Sequence, residues 1–112
     1  MFVAERYGEF GYLRPEKAVG CDTLSKARVE AIKLICGVGD VIFINRTTSD
    51  RMYPVEEVIV HRADRFDDKR GRIKVAYTYY VKKYTPKGPE YYEISKKTGK
   101  SVRRVYGVEG FF

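Results

Sequence analysis

The stretch Arg72-Ile73-Lys74-Val75-Ala76-Tyr77-Thr78-Tyr79-Tyr80-Val81-Lys82-Lys83-Tyr84 alternates with a period of two. One set of positions (Ile73, Val75, Tyr77, Tyr79 and Val81) is apolar or aromatic throughout. The other (Arg72, Lys74, Ala76, Thr78, Tyr80, Lys82 and Tyr84) mixes cations with tyrosine. Successive strand side chains point to opposite faces, so the pattern predicts a long strand with the first set turned to the core. The second set is then turned outward.

Working outward from this strand gives a meander. After it, the run Thr85-Pro86-Lys87-Gly88-Pro89 is a turn, residues 90–96 are a return strand, and Thr98-Gly99 centres a second tight turn before a strand at 102–108. Before it, Asp, Lys, Arg and Gly crowd residues 64–71, which read as an exposed loop. Residues 55–61 are a β-branched strand begun at Pro54, and Val41-Ile42-Phe43-Ile44 is apolar on both faces, as a central strand is. Residues 22–36 form the one helix. Leu24, Ala27, Arg28, Ala31, Leu34 and Ile35 share a face, with Asp22 or Thr23 as N-cap and Gly37 placed to end it. Arg28 is the single charged member of that face. Residues 1–21 leave room for one or two short strands, or a hairpin through residues 12–19.

The expected fold is therefore α+β: one amphipathic helix (22–36) on a mainly antiparallel sheet, or partly open barrel, of about five strands. The meander spans 40–108, with an extra N-terminal strand or hairpin in 1–21. A chain of 112 residues fits a single domain, 1–112. No apolar run nears the roughly 20 residues a membrane-spanning helix needs, and the first dozen residues lack a signal-peptide core. The expected location is cytoplasmic, with no membrane partner. Cys21 and Cys36 bracket the helix; its ends lie roughly 20 Å apart at 1.5 Å per residue, too far for a disulfide. The chain has no Gln and one Asn (Asn45), while 33% of residues are charged. This is the compositional drift of hyperthermophile proteins, and suits a hyperthermophilic archaeon or one of its viruses.

Charge is segregated along the chain. Residues 1–68 hold ten Lys/Arg against twelve Asp/Glu, whereas residues 69–112 hold twelve Lys/Arg against Glu90, Glu93 and Glu109. Seven of the ten tyrosines fall in the same basic part. Such asymmetry points to a polyanionic partner. Strand alternation sets same-face residues about 6.5–7 Å apart, a spacing that lets cations meet successive phosphates while tyrosines offer stacking planes. The expected nucleic-acid-binding face comprises Arg72, Lys74, Tyr80, Lys82, Tyr84 and Tyr91, joined by Lys96, Lys97, Lys100 and Arg103. It contacts DNA or RNA mainly at the backbone, with weak sequence preference.

Catalytic arrangements fare worse. His61 is the only histidine, so Ser-His and Cys-His nucleophile systems rest on one strand residue, and two Cys with one His do not complete a zinc site. Gly37-Val38-Gly39 follows the helix and precedes a strand, the reverse of a phosphate-cradling loop. A metal-dependent nuclease requires convergence of Glu56, Glu57, Asp64, Asp67 and Asp68 near Lys74. The expectation is a binding protein without catalytic residues, metal or cofactor. The competing class is an interaction module or homodimer, pairing through a sheet edge or docking Phe111 and Phe112 into a partner.

Overall fold

A computed structural model of the chain describes residues 1–8 and 15–112. Among the described residues one α-helix packs on an open antiparallel sheet of seven strands. The strands are β1 (Phe2–Arg6), β2 (Lys17–Cys21), β3 (Ile42–Thr47), β4 (Met52–Asp67), β5 (Arg72–Lys83), β6 (Glu90–Ile94) and β7 (Ser101–Val105). The helix α1 (Leu24–Leu34) lies between β2 and β3, and a short 3-10 helix, Glu109–Phe111, follows β7. The sheet order is β2-β1-β3-β4-β5-β6-β7. The five strands of the meander are all present, and β1 and β2 add an antiparallel N-terminal pair. The sheet is open rather than barrel-like, since β2 and β7 remain its two edges. The part of the expected N-terminal hairpin that falls on residues 9–14 lies outside the described residues. No helix among the described residues is long and apolar enough to cross a membrane.

The helix is shorter than its sequence pattern suggested, and its end has a different cause. Thr23 caps the start, its side-chain oxygen accepting from the Lys26 N–H at 3.2 Å. At the other end Ile35 turns extended (ψ 121°), so Gly37 is not the left-handed terminator. The Asp40 carboxylate instead accepts from the Cys36 and Gly37 N–H groups at 2.8 and 3.3 Å. The core lies between α1 and one sheet face: Ala27, Ala31 and Ile32 pack on Ala4, Ile42, Ile44, Val58, Val81 and Ile94.

Arg28, the charged member of the buried helix face, is itself buried and meets Glu56, which is fully enclosed. Its Nε donates to Oε2 at 2.7 Å, and a second terminal nitrogen pairs with Oε1. The remaining terminal nitrogen donates to the Gly99 carbonyl (3.1 Å) and the Ser101 hydroxyl (3.2 Å). One guanidinium thereby ties the helix to β4, to the β6–β7 turn and to β7.

The largest departure from expectation is β4. The residues assigned to a loop, 64–71, continue the strand to Asp67 and turn only at 68–71. At about 3.3 Å per residue the 16 residues of β4 run roughly 50 Å, most of the 57 Å length of the molecule. β3 pairs with β4 only as far as Val58, and β6 pairs with β5 only from Tyr79. From Arg62↔Tyr77 out to Asp67↔Arg72 the two strands pair with each other alone. They form a two-stranded ribbon that projects from the sheet.

Candidate nucleic-acid interface

The ribbon has two chemically distinct faces. Cross-strand partners in an antiparallel pair share a face. Arg65↔Lys74 and Asp67↔Arg72 therefore point away from the helix side, while Arg62↔Tyr77, Asp64↔Val75 and Phe66↔Ile73 point toward it. With Lys69 and Arg70 in the turn, the ribbon carries six cations against Asp64, Asp67 and Asp68. Arg62 pairs with Asp64 at 2.9 Å. The other five, Arg65, Lys69, Arg70, Arg72 and Lys74, form no ion pair among the described residues.

The ten residues expected to make one surface are separated into three places. Arg72 and Lys74 stand on the exposed ribbon. Lys96, Lys97 and Lys100 lie exposed at the β6–β7 turn. Tyr80, Lys82, Tyr84, Tyr91 and Arg103 lie toward the sheet body, and most of them are engaged. Lys82 pairs with Glu57 at 3.7 Å and lies over the Tyr84 ring. Arg103 pairs with Glu93 at 3.6 Å. The pKa of the Tyr84 hydroxyl is pushed up to about 12 by local burial and then by its hydrogen bond to Glu57.

Tyr80 and Tyr91 are not open stacking planes. The chain after β7 folds back across the face opposite the helix and brings two phenylalanines onto it. Phe111 stacks on His61 (ring centroids 4.1 Å apart, nearly parallel) and leans on Tyr80, and Phe112 packs on Tyr91, which is buried. Ile59 and Val108 are buried as well, outside the cluster beneath the helix. The phenylalanines expected to dock into a partner thus pack on the chain's own sheet. Phe111→Ala should lower unfolding free energy by about 1–2 kcal/mol, through the lost stacking and partial burial. Denaturant titration checks this.

Tyr77 is the opposite correction. The alternation assigned it to the core with Tyr79, but α1 packs mainly on β1 to β4 and reaches only the inner end of β5 at Val81, so the outer half of β5 has no layer above it. Tyr79 is half-buried against the core, whereas Tyr77, Val75 and Ile73 are exposed. The signal lay in where the helix ends, which strand periodicity does not report. Arg104 behaves similarly: it faces the helix side but lies beyond the helix, resting on the Tyr106 ring at 5.2 Å and 3.8 Å from Glu90.

Comparisons were made with protein-family models, with characterised proteins and with solved structures. None matches this chain. The functional reading therefore rests on the geometry alone. The carboxylates a nuclease would need do not converge: Glu56 is locked beneath the helix by Arg28, Glu57 is on the other face beside Lys82, and Asp64 and Asp67 sit on opposite ribbon faces.

Proposed function

We propose that the protein binds nucleic acid through the projecting ribbon, holding the phosphate backbone with Arg65, Lys69, Arg70, Arg72 and Lys74. The observation that carries this reading is the density of unpaired charge on the ribbon. Five of its six cations form no ion pair among the described residues, and they stand together on one projecting arm. Lys82, Arg103 and Arg104 on the sheet body, by contrast, each lie beside a carboxylate. Concentrating uncompensated charge on an arm two strands wide costs self-repulsion that a polyanion relieves by releasing its own counterions.

Five phosphate contacts predict a slope of log K against log salt of about −3.5 to −4.5. Arg72→Glu with Lys74→Glu should weaken binding at low salt by at least about tenfold and flatten that slope by about 2. Lys97→Glu with Lys100→Glu, at the β6–β7 turn, should change it much less. Mobility-shift titrations at two salt concentrations measure both. Equal losses in the two double variants would remove the ribbon from the role, and no binding at low salt to any DNA or RNA would end the reading.

A further inference from the structure

On the same reading of the ribbon, we propose that its helix-side face is a stacking platform for unpaired bases, so that the preferred ligand is single-stranded nucleic acid. Phe66 (65% exposed), Ile73 (67%), Val75 (40%) and Tyr77 (55%) form a continuous apolar stripe along this face, and Tyr79 prolongs it toward the body. Successive β5 members are about 6.5–7 Å apart. Where the ribbon leaves the sheet the stripe enters a cleft of about 550 Å³ lined by Val38, Val60, Arg62, Tyr77, Tyr79 and Lys96. The Lys96 ammonium stands 5.9 Å from the Tyr79 ring centre and has no ion-pair partner among the described residues. Flat aromatic surface next to an uncompensated cation is the pairing that a nucleotide answers, base on ring and phosphate on ammonium.

Two features select this occupant. Large exposed apolar patches mark binding surfaces, but a second copy of the chain would bring another arm of net charge +3 against this one. A polyanion meets no such repulsion. Within a duplex the flat faces of the bases are sealed in the stack, so a ribbon lodged on duplex phosphates would leave the Phe66–Tyr77 stripe in water. A single strand uses both faces of the ribbon at once. Its bases rest on the stripe while the long Arg65, Arg72 and Lys74 side chains reach past edges only one strand away.

Fluorescence anisotropy with three labelled probes of equal length tests this: an oligothymidylate, the corresponding abasic strand, and a duplex. The expected result at low salt is about tenfold or more tighter binding of oligothymidylate than of either other probe. Phe66→Ala with Tyr77→Ala should reduce oligothymidylate to the level of the abasic strand, while Tyr77→Phe, which keeps the ring, should not. These side chains are exposed, and an unchanged melting temperature will confirm that the variants fold. Equal affinity for all three probes would overturn the stacking platform and leave backbone binding standing; no binding to any probe would overturn both. Self-association without nucleic acid, abolished by Phe66→Ala with Tyr77→Ala, would assign the stripe to a second copy and overturn the inference.

Discussion

Glu56→Ala will lower the unfolding free energy by about 3–5 kcal/mol, a large part of the roughly 5–15 kcal/mol that holds a domain together. The cost arises because Arg28 stays behind. Its guanidinium is buried under α1 and would keep only the Gly99 carbonyl and the Ser101 hydroxyl, two neutral acceptors, around a full positive charge. Arg28→Ala should cost a similar amount from the other side, stranding a carboxylate with no exposed surface. Replacing both at once, Arg28→Met with Glu56→Leu, removes both desolvation penalties and should recover most of the loss. Guanidinium or urea denaturation of the three variants decides the matter. A Glu56→Ala loss below about 1 kcal/mol would show that water reaches the pair and that the knot is not what fastens the helix to the sheet.

This pair also shows what the sequence disclosed and what it concealed. A lone arginine on an otherwise apolar helix face announces a buried partner of opposite charge. Which carboxylate answers depends on β4 crossing beneath the helix, a contact 28 residues away. The strands of the meander and the Thr23 cap were legible because alternation and capping are local chemistry. The outer half of β4 was not, since the run Arg62-Ala63-Asp64-Arg65-Phe66-Asp67 is wet on both sides and has no apolar face to keep in register. The ten residues expected to share one face were dispersed for a related reason. Periodicity sorted β5 into two faces correctly, but which face is covered, and how far along, depends on where α1 and the Val108–Phe112 segment lie. Tyr80 and Tyr91 were covered by a remote segment, and Tyr77 was exposed by the absence of one.

Gly99→Ala will cost about 3 kcal/mol or more, and the reason is where its added methyl would go. Gly99 occupies the tight β6–β7 turn with φ of +70°, a conformation that costs an L-residue about 1–2 kcal/mol. A Cβ there would stand 2.1 Å from the Ser25 carbonyl oxygen and 3.0 Å from its carbon. Those atoms belong to the backbone of the first turn of α1, so no side chain can swing aside, and the turn must lift from the helix. Lifting it withdraws the Gly99 carbonyl from Arg28 and strains the bond from the Gly99 N–H to the Ser95 carbonyl at 2.8 Å. Gly107 supplies the control. Its φ is +77° but nothing lies within 4 Å of where a methyl would stand, so Gly107→Ala should cost only the conformational term, about 1–2 kcal/mol. Denaturation of the two variants separates the steric cost from the conformational one, and equal losses would mean that the turn does not bear on the helix. Because Gly99 and Glu56 share Arg28, the losses in Gly99→Ala with Glu56→Ala should also sum to less than their separate costs. Strict additivity would mean that the turn and the ion pair hold the helix independently.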